Sequence, residues 1–192
     1  MYRMYGQFLS SRQKLSTYIH VGNVMITGML KNDDVEDFLN TYSILAKLDH
    51  MNSIQQELEQ LFQRYLKAFY QQNMAAAQQC YQLPCTLHTP DKVVLIADDS
   101  AFEREFLDIF TILSQAEITR FIALKSSFSE LSDNLILACV DWQFIGPKNE
   151  VFTDFSAFYH LAFNAGQWKI FNVVSQELSQ SVELNTPYNI SE

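Results

Sequence analysis

The chain has 192 residues, of which 48% are hydrophobic and 18% charged, a composition typical of a globular domain and unlike that of a disordered segment. Its net charge of −9 comes from residues 51–192, which hold eight Lys and Arg against seventeen Asp and Glu; residues 1–50 hold five of each. This acidic body argues against nucleic acid and anionic membranes as partners, because both bind positive surfaces. The sequence contains only five glycines and no glycine-rich phosphate-binding motif.

The three cysteines are Cys80, Cys85 and Cys139. An odd and low number in a chain of this length is typical of reduced thiols in a cytosolic protein. The sequence contains no apolar run long enough for a transmembrane helix, and the N-terminal stretch VGNVMITGML lacks the cleavage pattern of a signal peptide. We therefore expect a cytoplasmic protein.

Residues 1–50 are interpreted as an N-terminal extension. Within them, VEDFLNTYSILAKL has the spacing of an amphipathic helix, predicted over 33–48. Ser53 and Gln56 have capping-box spacing, which predicts a new helix start directly after Met51. Two interpretations remain open: translation begins at Met51, or residues 1–50 are a genuine extension that packs on the domain.

Helical spacing continues after Ser53 in one apolar stripe of about four turns: Ile54, Leu58, Leu61, Phe62, Tyr65, Leu66 and Phe69. Asn73 is predicted to cap a short helix, MAAAQQCY, that Pro84 ends. The segments CTLHT and KVVLIA then predict two short strands. A second capping box, Ser100 with Glu103, predicts a third helix.

The rest of the domain alternates with the period of a β-strand. EITRFIALKSSFSEL, NLILACVDWQFIG, EVFTDFSAFYHLAFNAG and QWKIFNVVSQEL predict four long strands, and the turns between them are short enough for antiparallel hairpins. We therefore predict an α+β domain over 51–180, in which three helices cover one face of a curved antiparallel sheet of about six strands. Residues 181–192 are expected to be a frayed tail.

The order of these elements, together with QRYLKAFYQQN and FYHLAFNAGQWKI, resembles the nuclear transport factor 2-like (NTF2-like) superfamily. That superfamily includes ketosteroid isomerases, scytalone dehydratase and the SnoaL-like cyclases. The resemblance implies a cone-shaped barrel, a pocket between the concave sheet face and the helices, and a homodimer formed through the outer sheet face. It does not imply one function, because this fold carries both enzymes and binding modules.

The resemblance also suggests candidate catalytic residues. It places Tyr65 at the oxyanion-hole tyrosine of ketosteroid isomerases and Tyr159 at their second hydrogen-bond donor. Thr89 falls where those enzymes have a carboxylate base, so their chemistry is not expected here. His88 is a candidate base if the strand register shifts by one residue. Asp141 is expected either to line the pocket with a raised pKa or to be solvated on the outer face.

The remaining predicted pocket residues are Phe62, Phe69, Thr89, Trp142, Phe155 and Leu161. Cys80, Cys85 and His88 have the spacing C-x4-C-x2-H, but buried thiols explain them better than a zinc site does, and we expect neither a metal nor another cofactor.

Two functional hypotheses remain. One is a domain for small-molecule binding or assembly with an apolar pocket and no catalysis. The other is a cofactor-independent lyase or isomerase acting on a small apolar carbonyl compound. It would use Tyr65 and Tyr159, with His88 or Asp141 as the base.

Overall fold

The structure is a computed structural model that describes residues 17–21, 24–28 and 32–191. The chain divides into two compact units, Met1–Asn52 and Ser53–Glu192. In the first unit, strands β1 (Thr17–Val21) and β2 (Val24–Gly28) form an antiparallel pair.

Helix α1 spans Asn32–Tyr70, and the division between the two units falls within it. It includes the predicted helix over 33–48, but the predicted new start after Met51 is wrong. The Ser53 hydroxyl donates to Glu57 at 3.4 Å, one turn further on, instead of forming a capping box. The apolar stripe predicted from Ile54 to Phe69 is buried, apart from Tyr65, which is partly exposed. Leu39 and Leu45, nearer the start of α1, are about half exposed. That translation begins at Met51 stays a prediction.

Helix α2 (Met74–Gln79) has the predicted cap, since the Asn73 side chain accepts a hydrogen bond from the Ala76 N–H at 3.0 Å. The helix ends earlier than predicted, however, and Pro84 lies inside strand β3 (Tyr81–His88). Tyr81 begins this strand because its ring packs on Phe102 and Phe106, at centroid distances of 5.4 and 5.3 Å.

Strand β4 (Val93–Ile96) precedes helix α3 (Asp99–Gln115). The N-cap of α3 is Asp98 rather than Ser100, because the Asp98 carboxylate accepts from the Ala101 N–H at 2.8 Å.

The four long strands lie close to their predicted positions: β5 (Arg120–Ser132), β6 (Leu135–Ile145), β7 (Val151–Asn164) and β8 (Gln167–Gln176). A short 3-10 turn (Leu178–Gln180) and strand β9 (Thr186–Pro187) follow.

These strands form a curved seven-stranded sheet in the order β4-β3-β8-β7-β6-β5-β9. The predicted α+β class is therefore confirmed. The sheet is mixed rather than fully antiparallel, because β3 pairs with β8 in parallel. Its seventh strand, β9, had not been predicted, and the sheet does not close into a complete barrel, since β4 and β9 are its edges.

The C-terminal segment is packed rather than frayed. β9 pairs with β5, the Leu184 N–H donates to the Ser127 hydroxyl at 2.9 Å, and Tyr188 is only 4% exposed. A buried aromatic ring in this segment explains the difference, because its burial compensates for the lost freedom of the chain.

Candidate functional site

A cavity of about 170 Å³ lies between the inner face of the sheet and helices α1 and α3. Its lining is largely aromatic and aliphatic. Helix α1 contributes Tyr65, Leu66 and Phe69, and helix α3 contributes Phe106, Ile109 and Leu113. The strands add Tyr81, Leu87, Phe121, Trp142, Phe144, Phe155, Tyr159, Val173 and Ser175. The alternation of strands β6 and β7 places Trp142 and Tyr159 on this inner face.

Three phenols meet at this cavity. The ring of Tyr65 stacks on Phe69 at 4.4 Å and stands edge-on to Tyr159, with centroids 6.1 Å apart. Tyr81 lies on the other side of Tyr65, at 6.3 Å. The Trp142 indole N–H donates to the Tyr159 hydroxyl at 2.8 Å. Because an indole N–H can only donate, the Tyr159 hydroxyl accepts this bond, and its own hydrogen is directed at the neighbouring Tyr65 hydroxyl.

The electrostatics of the cavity keep these phenols neutral. Removal from water, followed by the neighbouring phenol of Tyr81, raises the pKa of Tyr65 well above its ordinary value. Desolvation is also the main cause that raises the pKa of Tyr81, and the nearby phenol of Tyr159 adds to it. The pKa of Tyr159 is raised in the same way, by desolvation first and then by the phenol of Tyr65. All three therefore act as hydrogen-bond donors, and none is a base, near neutral pH.

Sequence reasoning missed Tyr81, because it was assigned to the end of the preceding helix. A signal was present: Tyr81 has the same parity as Cys85 and Leu87, so period-two alternation extends back across Pro84. All three residues belong to the apolar core or pack against it.

His88 and Thr89 border the cavity where β3 ends. His88 pairs with Val174 in the sheet, so it has the parity opposite to Leu87, which pairs with Val173. The side-chain hydroxyl of Thr89 accepts from the Lys92 N–H at 3.2 Å, which ties it to the following turn. His88 thus lies at the rim of the cavity.

Asp141 lies on the opposite face of the sheet, apart from the phenols. It is 5% exposed, and its carboxylate accepts from the hydroxyls of Ser156 and Ser181, each at 2.7 Å. The ammonium of Lys125 lies 3.4 Å away. The structure therefore places Asp141 neither in the cavity nor in solvent, because the C-terminal segment supplies Ser181 and covers it.

The predicted pocket set divides in two. Phe69, Thr89, Trp142 and Phe155 line the cavity. Phe62 and Leu161 are fully buried in the core; Phe62 supports the cavity from behind through an edge-on contact with Tyr159 at 5.0 Å.

The described residues contain no group of three or more His, Cys, Asp and Glu side chains placed to hold a metal ion. Cys80 and Cys85 are free and buried, and burial raises the pKa of each thiol to about 11. No helix in the described part of the chain is long and apolar enough to cross a membrane.

A curved sheet that packs three helices around an apolar cavity is the architecture of NTF2-like proteins. The profile of one such family, described as "NTF2-like protein (DUF6841)", matches residues 56–178, and the chain belongs to this family.

Solved structures agree on the fold. An NTF2-like protein of unknown function from Shewanella oneidensis is 12% identical with a TM-score of 0.52, covering 62% of this chain and 96% of that one. For a putative ketosteroid isomerase from Shewanella frigidimarina the identity is 14% and the TM-score 0.51, with 61% and 92% covered. A protein of unknown function from Mycobacterium tuberculosis is 11% identical with a TM-score of 0.54, with 67% and 74% covered. No curated protein sequence shows a significant match. Identities this low support the fold alone.

Proposed function

We propose that the domain binds a small apolar molecule in the cavity between α1, α3 and the sheet, without catalysing a reaction. The observation that carries this proposal is the chemistry of the lining. The described residues around the cavity include no Asp, Glu, Lys or Arg. Small-molecule sites commonly combine such an apolar lining with a few converging polar groups.

The phenols indicate which polar group the ligand carries. Tyr65, Tyr81 and Tyr159 are held protonated by desolvation, so they offer a ligand hydrogen-bond donors and carry no negative charge that would neutralise a cationic group. The preferred ligand therefore carries a hydrogen-bond acceptor, such as a carbonyl oxygen, on an otherwise apolar body. A charged carboxylate is disfavoured, because the described residues that line the cavity include no Lys or Arg to compensate for its desolvation.

A thermal-shift screen with small apolar ketones, aldehydes and phenols tests this proposal. A compound that binds the folded state raises the unfolding midpoint by mass action. We expect a shift in the wild type that is reduced in Tyr65→Phe. The matched control is Tyr70→Phe, because the Tyr70 hydroxyl donates to the Thr119 carbonyl outside the cavity. If no compound shifts the midpoint, or if both variants lose the shift equally, the proposal fails.

A second candidate function is a cofactor-independent lyase or isomerase acting on a small apolar carbonyl compound. The observation that favours it is that His88, a possible general base, borders the same cavity as the donor phenols. Asp141 is not part of this candidate, because it lies on the other face of the sheet.

Deuterium exchange separates the two functions. A ligand found by thermal shift is incubated with the protein in D₂O, and exchange at the carbon next to its carbonyl is followed by NMR. An enzyme accelerates this exchange, His88→Gln abolishes the acceleration, and His160→Gln, on the outer face, leaves it unchanged. Exchange at the rate seen without protein leaves only the binding function.

We further propose that the protein is a cytoplasmic homodimer that uses the outer sheet face around the partly exposed Phe158, beside the part of that face that residues 177–191 cover. Support comes from the partly exposed Phe158 on that face and from the three free thiols, which suit a reducing compartment. Light scattering that gives the mass of one chain would exclude the dimer.

The native start at Met51 also remains a proposal. Mass spectrometry of the protein from its source organism tests it, because abundant peptides from residues 1–50 would exclude that start.

A further inference from the structure

The segment 177–191, here called the C-terminal strap, crosses the sheet from its outer face to its inner side. It begins with a 3-10 turn beside β7. The Leu184 and Asn185 N–H groups then donate to the hydroxyls of Ser127 and Ser129 on β5, at 2.9 and 3.2 Å. The strap then forms the edge strand β9, the Tyr188 N–H donates to the Ser126 carbonyl at 3.1 Å, and the Tyr188 ring enters the core against Phe62 of α1.

Besides the bonds from Leu184 and Asn185, a buried carboxylate holds the strap on the outer face. Asp141 receives the Ser181 hydroxyl from the strap and the Ser156 hydroxyl from β7. Cys139, two residues earlier on the same face, has its sulfur 3.4 Å from the Ser156 oxygen and is only 1% exposed. Ser127, the partner of Cys139 on β5, is itself bonded to the strap. The strap therefore covers this part of the outer face.

At the other end of the strap, Tyr188 is buried although its hydroxyl lacks a hydrogen bond. The Tyr188 ring is 6.1 Å from Phe62 and 5.9 Å from Phe128, but its buried hydroxyl has no hydrogen-bond partner among the described residues. A buried hydroxyl without a partner loses its hydration and gains nothing in return, so it opposes docking of the ring. Phe62 in turn contacts Tyr65 and Tyr159, so the docked ring supports the cavity wall from behind.

We propose that the C-terminal strap is a releasable closure, which Asp141 fastens on the outer sheet face and which places Tyr188 behind the cavity wall. Two polar groups of this closure act in opposite directions, while burial of the Tyr188 ring favours the closed strap. The Asp141 contacts favour the closed strap, whereas the unpartnered hydroxyl of Tyr188 favours release. Release uncovers Cys139 and leaves space next to Phe62, into which the cavity can expand. The proposal does not depend on which ligand the cavity binds.

The cysteines provide a direct test in the full chain. Labelling with a small thiol reagent is quantified for each cysteine separately by peptide mass spectrometry. Cys139 becomes reactive when the strap opens, whereas Cys80 and Cys85 lie in the inner core and report global unfolding.

We expect opposite effects from the two ends. Asp141→Asn and Ser181→Ala should each accelerate labelling of Cys139 by about tenfold, and Tyr188→Phe should slow it by a similar factor, since one hydrogen bond or one unpartnered hydroxyl changes the open population by about this much. Ser179→Ala is the matched control on the strap, because its hydroxyl donates to the exposed Glu177 and not to Asp141.

Two results would overturn the proposal. One is labelling of Cys139 in step with Cys80 and Cys85 in every variant, which would make the strap part of the cooperative fold. The other is faster labelling in Tyr188→Phe, which would show that the hydroxyl favours closure. An acceleration in Ser179→Ala equal to that in Ser181→Ala would also exclude Asp141 as the fastening.

Discussion

The two faces of strand β6 handle polar groups in opposite ways. On the inner face, Trp142 donates to Tyr159, and the described part of the cavity lining offers neutral hydroxyls but no carboxylate. On the outer face, the neighbouring Asp141 is an almost fully buried carboxylate that two hydroxyls and one ammonium compensate. Two adjacent residues of one strand can therefore have different roles, one in the ligand site and the other in a structural contact. Strand parity decides which role each residue has, because it decides which face of the sheet the side chain is on.

The largest expected loss of stability comes from a substitution on the inner face of the sheet. Phe62→Ala removes a fully buried ring between Tyr188 and the cavity wall, and should lower the free energy of unfolding by about 3–5 kcal/mol. Urea unfolding measures this loss. The control is Phe163→Ala, whose ring is 41% exposed and whose loss should cost far less. Equal costs would mean that burial does not decide how much each ring contributes to stability.

Alkaline pH should also destabilise the inner side. Burial raises the pKa of Cys80 and Cys85 to about 11 from an ordinary 9.0. Between these values the unfolded chain loses thiol protons that the folded chain retains, so the free energy of unfolding falls as the pH rises. The slope is at most about 1.4 kcal/mol per pH unit for each thiol.

The raised phenol pKa values add to this loss above pH 10, the ordinary value for tyrosine. Urea unfolding under reducing conditions follows the decrease, and Cys80→Ala should reduce its slope. Stability that stays constant through this range would contradict the burial of these groups.

A matched pair of substitutions compares single hydrogen bonds on the two faces. Trp142→Phe removes the donor to Tyr159, and Ser156→Ala removes one donor to Asp141; each should cost about 1–3 kcal/mol. Only Trp142→Phe should also weaken ligand binding in the thermal-shift screen. A loss of binding in Ser156→Ala that exceeds its effect on stability would connect the outer face to the ligand site.

The smallest expected change in stability occurs at acidic pH and comes from His160 on the outer face of the sheet. Burial lowers the pKa of His160 below its ordinary 6.5, and its Nδ1 has no partner in the described part of the chain. Below pH 6.5 the unfolded chain therefore binds more protons than the folded one, and the free energy of unfolding falls as the pH falls. His160→Gln should make unfolding less dependent on pH in this range. An unchanged dependence would assign the acid sensitivity to other groups.

Much of the fold could be predicted because its signals are local. The apolar stripe of α1, the Asn73 cap and the alternation of the four long strands each depend on residues close together in the sequence. The predictions that failed involve competition between distant groups. Tyr81 could continue a helix or begin a strand. Its packing on Phe102 and Phe106 favours the strand.

The candidate site shows the same limit. Tyr65 and Tyr159 could be proposed from a resemblance, and the structure brings them to one cavity. The position of Asp141 could not be predicted, because it depends on a segment forty residues later in the chain that covers it through Ser181. Tyr81 was missed for the same kind of reason, since its partners lie on α1, α3 and β8.

The class of the fold, the order of its elements and the apolar character of the cavity follow from local hydrophobic periodicity, which specifies which side of each helix and strand is buried. Which polar groups meet depends on the folded chain. It places three neutral phenols together on the inner face and a compensated carboxylate beneath the C-terminal strap on the outer one. The physical reason is that desolvation and hydrogen bonding depend on neighbours that the fold brings together from distant parts of the chain.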